Sequence, residues 1–200
     1  VVASSDYKKF VFMGVGGVSL AAAFVIMVDK MATSETSNFR FKRILAWLHP
    51  EEYVSDTGYQ TLQALYAIGS GGIWGKGLGQ SMQKLGFIPE AQNDMIFSII
   101  CEELGLFGAI AIILMFVMLI WRLMVIANNA PDLFGALLVV GVMGHMAIQV
   151  ILNIAVVTAT IPNTGISLPF ISYGGTAVLF QLAEIGIVLN VAKKIPLKDA

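Results

Sequence analysis

The stretch Pro89-Glu-Ala-Gln-Asn-Asp94 sets two carboxylates and two amides directly before an apolar run that begins at Met95. A carboxylate at the mouth of such a run has the chemistry of a general base at a membrane surface. The same spacing suits a helix cap, with Asn93 or Asp94 accepting hydrogen bonds from the first free N–H groups. Both roles fit the pattern. Glu102 and Glu103 follow two turns along the same run. A carboxylate turned to lipid there costs several kcal/mol, so both must meet protein, water or a cation. Eight residues at ~100° each put Glu102 about 80° from Asp94, while Glu103 points to the opposite face. Glu102 is therefore the better candidate to share a cavity with Asp94, and pairing with helix ends or polar groups of neighbouring spans is the alternative. Farther on, His145, Gln149 and Asn153 recur every four residues and form one polar ridge, with Gln181 and Glu184 as its possible partners in the next apolar run. Interhelical hydrogen bonding is the expected use of such a ridge.

The segment Gly69-Ser-Gly-Gly-Ile-Trp-Gly-Lys-Gly-Leu-Gly79 has the glycine content of a phosphate loop. It fails the Walker pattern, since Ser70 stands where the first glycine belongs and Gly77 where Ser or Thr would bind magnesium. No nucleotide is expected. What remains is a flexible segment carrying Lys76 and Trp74, the latter suited to a head-group interface. The loop from Ile161 to Thr176, with Pro162, Pro169, Gly174 and Gly175, forbids a continuous helix and is expected to wall a cavity opposite Asp94. A lone cysteine, Cys101, and two distant histidines, His49 and His145, do not make a zinc site of usual spacing.

These groups need elements to hold them, and composition names the solvent. Of 200 residues 57% are hydrophobic and only 12% charged, with mean hydropathy +0.80, far too apolar for an ordinary soluble domain. A net charge of -1 offers no field for a polyanion, so nucleic acid is not an expected partner. Apolar runs at 10–28, 95–121, 133–157 and 171–191 each approach or exceed the ~20 residues that cross hydrocarbon. The expected fold is an all-α integral membrane protein of four transmembrane helices with a long structured extracytoplasmic loop at 29–94. The first run lacks a small-residue cleavage site, so no cleaved leader is expected. Lys8, Lys9, Arg122, Lys193 and Lys194 flank the runs on one side, which places both termini in the cytoplasm. The long loop carries Lys30, Arg40, Lys42, Arg43, Lys76 and Lys84, which long loops tolerate on the outer face. Within it Phe41, Ile44, Leu45 and Leu48 mark an amphipathic helix that ends at His49-Pro50, either lying in the interface or packing with a solvated charged face.

Three stretches carry a more specific signal. They are Gly58-Tyr-Gln with Ala67-Ile-Gly-Ser-Gly-Gly-Ile-Trp-Gly-Lys-Gly77; Phe87-Ile-Pro-Glu-Ala-Gln-Asn-Asp-Met-Ile-Phe97 with Glu102-Glu-Leu-Gly105; and Pro162-Asn-Thr-Gly-Ile-Ser-Leu-Pro-Phe-Ile-Ser-Tyr-Gly-Gly175. In order and content they resemble the SEDS family of FtsW, RodA and SpoVE, and Gln83-Lys84 is more similar to the FtsW/SpoVE branch. Family members have roughly ten spans, so the resemblance implies the last four. It implies a bacterial plasma-membrane enzyme that polymerises lipid II, moving a growing glycan from undecaprenyl diphosphate onto a sugar hydroxyl of the incoming lipid II, beside a class B penicillin-binding protein. By the same resemblance Asp94 is the catalytic base and Glu90 its helper. Arg40, Arg43, Lys76 and Lys84 then offset charge on the diphosphate, and Glu102, Gln149, Asn153, Ser172 and Glu184 support the site. A divalent cation, magnesium or manganese, is the expected helper near the diphosphate. Gln92-Asn93 replaces the family's usual His-Thr, Met95 a usual phenylalanine, and His49 a frequent aspartate.

Two other function classes fit parts of the pattern. A lipid II transporter would use the third-span ridge and Glu184 as a path, and a division scaffold would need neither Asp94 nor the loop cations.

Overall fold

The computed structural model describes residues 7–31, 39–49, 52, 57–83, 88 and 91–195. Its regular elements are helices: α1 Tyr7–Met31, α2 Phe39–Leu48, α3 Thr57–Gly71, α4 Ile96–Asn129, α5 Leu133–Val157 and α6 Gly175–Lys193. The chain divides into two units, Val1–Tyr59 and Gln60–Ala200.

In the first unit α2 packs on α1. The side chains described on α1 include Val11, Phe12, Val15, Val18 and Leu20, all exposed, and its apolar stretch Gly14–Met27 is shorter than those of the three long helices. The α2 stripe buries Leu45 and Ala46. His49 N–H closes its last turn on the Leu45 carbonyl at 2.8 Å, and Pro50 blocks continuation.

In the second unit α4, α5 and α6 are each long and apolar enough to cross a membrane. They pack with one another around Leu123, Ala127, Val139, Met146, Val188 and Val191. A second cluster joins α3 to the same bundle through Ala64, Ala67, Met95, Phe97, Phe116, Val150, Val157 and Leu168. The outward faces, with Leu114, Met118, Phe134, Ile151, Leu179 and Phe180, remain exposed, as lipid contact requires.

Several boundaries differ from the sequence pattern. The run expected at 95–121 is helical through Asn129, because Leu123 and Ala127 are needed in the bundle core and only Pro131 stops the helix. Arg122 is thus an exposed residue inside α4 rather than its flank. The run expected at 171–191 is helical over 175–193. Ile171 to Gly174 stay in the connecting loop, where Tyr173 N–H is taken by the Gln92 carbonyl at 2.8 Å and Phe170 turns the chain at φ 60. For α5 the start at Leu133 is fixed by Asp132, whose side chain accepts from Gly135 N–H at 3.3 Å, a regular N-cap.

Helix α3 is new relative to the sequence reading. Its buried face is made of Thr61, Ala64, Ala67 and Gly71, a stripe of small residues at helical spacing that apolar periodicity does not register.

Candidate functional site

The glycine segment is not a flexible linker. Gly71, Gly75 and Gly105 bring the 71–77 backbone onto the backbone of α4, and a side chain at any of them would overlap main-chain atoms of the other segment. Gly105 interrupts α4 with φ 65 and ψ -161. The polar groups released there are bonded across: Lys76 N–H to Glu102 C=O at 2.9 Å, Gly77 N–H to Glu103 C=O at 2.9 Å, and Leu106 N–H to Gly72 C=O at 3.0 Å. A membrane helix tolerates a break only when its freed groups find partners of this kind.

Inside this clamp lies Glu102, fully buried. Lys76 Nζ meets its Oε1 at 2.6 Å, Ser81 Oγ–H donates to Oε2, and the N–H groups of Met82 and Gln83 approach it at 3.4 Å. Glu102 is therefore bound by Ser70, Lys76 and the 81–83 segment, not by Asp94, and Lys76 is spent on it. That arrangement revises two expectations: Glu102 does not share a cavity with Asp94, and the charge of Lys76 is balanced by the protein instead of facing a diphosphate.

Asp94 sits in the turn before α4, half-buried. The N-cap position falls on Met95, so neither Asn93 nor Asp94 occupies it. Gln60 of α3 donates through Nε2 to Asp94 Oδ1 at 3.4 Å. Asn153, fully buried on α5, donates to the backbone carbonyls of Asp94 at 2.8 Å and Ile166 at 2.7 Å, tying the Asp94 turn to the 158–174 loop. A groove of about 440 Å³ opens beside this junction. Its lining includes Gln92 and Ile96, which bracket Asp94 in sequence, and Ile171 to Gly175. Ser172 shapes that wall: its Oγ accepts from Leu168 N–H at 2.7 Å. Gln181 Oε1 holds the Phe170 N–H at 2.9 Å.

The polar ridge of α5 is divided among three contacts. His145 Nδ1 pairs with Glu184 at 3.0 Å, Gln149 Oε1 accepts from Gln181 Nε2 at 3.5 Å, and Asn153 serves the Asp94 turn. Interhelical hydrogen bonding accounts for the spacing. Arg43 is a half-buried residue of α2, in the first unit, and Arg40 belongs to the same helix. Lys84 and Glu90 lie outside the described residues. Among the described residues no three carboxylate, imidazole or thiol groups converge on a metal position; magnesium beside a diphosphate needs only one or two carboxylates together with the phosphates.

Sequence reasoning assigned no role to Gln60, Ser81 or Asn163. Asn163 had a local signal: its Oδ1 accepts from Gly165 N–H at 2.9 Å, the Asx turn that Asn-Thr-Gly favours. Gln60 belongs to the Gly58-Tyr-Gln stretch, but no local pattern pairs it with Asp94, 34 residues away.

Three apolar helices capped at one end by a polar, loop-walled site define a multi-pass membrane protein with its candidate chemistry at a helix mouth. The chain belongs to the FtsW/RodA/SpoVE family, whose model, described as a cell cycle protein, matches residues 1–196. It is 45% identical over 192 residues to stage V sporulation protein E of Bacillus subtilis, covering 96% of this chain and 50% of that protein. It is 47% identical over 156 residues to a probable peptidoglycan glycosyltransferase FtsW of Trichlorobacter lovleyi, covering 78% and 41%. These place it with the FtsW/SpoVE branch. The chain spans about half the length of the curated relatives it matches. In fold it is similar to a chain of a peptidoglycan synthase complex that coordinates polymerization and crosslinking, with TM-score 0.65, 24% identity, and coverage of 96% and 50%. A structure of Thermus thermophilus RodA gives TM-score 0.51 at 22% identity, covering 88% and 63%.

Proposed function

We propose that the protein is a peptidoglycan glycosyltransferase that polymerises lipid II into glycan strands in cell division or cell-shape morphogenesis. The observation that carries this is Asp94: its carboxylate is held by Gln60, its carbonyl by Asn153, beside a groove at the end of an apolar bundle, in a chain of this family. The Asp94 carboxylate removes the proton from a sugar hydroxyl of the incoming lipid II. That oxygen bonds to the anomeric carbon of the growing glycan, and the bond to undecaprenyl diphosphate breaks with its electron pair leaving on the diphosphate. Arg40, Arg43 and Lys84 are the cations proposed to offset that charge, Glu90 assists the base, and Lys76 acts through Glu102. No step is routed through a metal. In this proposal α1 also crosses the membrane, as the first of four spans, both termini are cytoplasmic, residues 29–94 are extracytoplasmic, and a class B penicillin-binding protein supplies crosslinking.

The test is glycan polymerisation from labelled lipid II by the full-length protein with its penicillin-binding partner. Asp94→Ala is expected to abolish product while leaving complex formation intact. Product at the wild-type level from that variant would remove Asp94 from catalysis and favour transport or a scaffold.

A further inference from the structure

A backbone N–H has one role in a hydrogen bond, so Gly165 sets the polarity of everything that hangs from it. Its N–H donates to Asn163 Oδ1 at 2.9 Å, which fixes the oxygen of that amide toward Gly165 and its nitrogen away. Asn163 Nδ2 then donates to Gln60 Oε1 at 2.9 Å. That in turn fixes the Gln60 amide with its nitrogen toward Asp94, where Nε2 donates to Oδ1 at 3.4 Å. Amide oxygen and nitrogen are hard to tell apart by shape, but here the order is dictated from a main-chain donor. The chain of donors ends on the carboxylate. It begins in a turn where Gly165 has φ 70, a conformation that suits glycine, and Asn163 itself is buried.

We propose that Gln60 and Asn163 are positioning residues forming an amide relay that orients the Asp94 carboxylate, so that the 162–165 turn sets the geometry of the base from the far side of the site. The proposal rests on the reading of Asp94 as the base. Its distinctive consequence is that polarity can be inverted without changing shape. Asn163→Asp keeps an acceptor for Gly165 but replaces the donor facing Gln60 with an oxygen. The Gln60 amide then turns to donate to residue 163 and points its own oxygen at Asp94.

The test is steady-state polymerisation of labelled lipid II by the full-length protein with a class B penicillin-binding protein, each variant being checked for an unchanged thermal unfolding midpoint. Gln60→Leu lowers kcat by about 10-fold, the scale of one hydrogen bond to a charged group, with KM within about twofold. Asn163→Asp lowers kcat by about 10- to 100-fold in the wild-type background but by less than about twofold in the Gln60→Leu background, where no relay remains to invert. A merely structural Asn163 would cost the same in both. Wild-type kcat in a folded Asn163→Asp protein, or an undiminished cost in the Gln60→Leu background, overturns the relay. Should Asn163→Asp fail to fold, Gln60→Leu decides alone, and wild-type kcat overturns the proposal. Asp94→Asn is run alongside: if it is inactive while the relay variants behave as wild type, only the relay falls, whereas full activity of Asp94→Asn removes the base itself.

Discussion

Replacing Lys76 with methionine keeps most of the side-chain length and removes the cation from a fully buried carboxylate. Glu102 would retain Ser81 and the weaker N–H contacts of Met82 and Gln83, but no positive charge would meet it in the clamp. Removing one partner of a buried pair costs about 3–5 kcal/mol. The Lys76 side chain is 34% exposed, and solvent already screens part of the interaction, so the low end, about 3 kcal/mol, applies. The protein carries its own reporter. Cys101 is the single cysteine among these 200 residues, is buried, and its carbonyl lies against Gly71 in the clamp. Lifting of the glycine loop from α4 is the opening expected to expose it to a thiol reagent. About 3 kcal/mol corresponds to about 150-fold faster labelling when opening is a rapid pre-equilibrium. Glu102→Gln in the Lys76→Met background removes the uncompensated charge and returns labelling to within about tenfold of wild type. Labelling of Lys76→Met within about threefold of wild type would refute the view that the loop is closed by this ion pair.

Asn153→Leu leaves the carbonyls of Asp94 and Ile166 without their donor, a loss of about 2–4 kcal/mol, read as a lower unfolding midpoint in detergent together with reduced polymerisation. Gln149→Leu, which gives up one contact at 3.5 Å, should cost under about 1 kcal/mol in the same assay. Gly75→Ala combines φ 76 with overlap onto the Glu103 carbonyl and should prevent accumulation of folded protein in the membrane. Gly69→Ala meets open space inside α3 and should hold or raise the midpoint, by up to about 1 kcal/mol of helix propensity.

What sequence alone conveyed follows physical range. The span over Leu133–Val157 was legible to the residue because Asp132 caps it locally. The ends of α4 and α6 were not, since Leu123 and Ala127 are recruited by a tertiary core and Tyr173 is held out of α6 by Gln92, 81 positions earlier in the chain (173 - 92). Asp94 was singled out by the family resemblance, since a carboxylate before an apolar run suits a helix cap equally well. Its supports were not, because Gln60 lies 34 residues from Asp94 and Asn163 lies 103 residues from Gln60. The glycine segment was read as mobile because glycine frees the chain in isolation. Here the same lack of a side chain permits backbone contact, and the loop is anchored as a result.

The apposition of Gly75 and Gly105 bears on how this protein can change. A side chain added at either position overlaps main-chain atoms of the other segment, and main chain offers nothing to trim. An enlarged residue in an ordinary core can be accommodated by shrinking a neighbour. At this crossing no neighbour has a smaller form. The two sites are therefore closed to stepwise substitution, and sequence variation must route around them through the residues that surround the clamp.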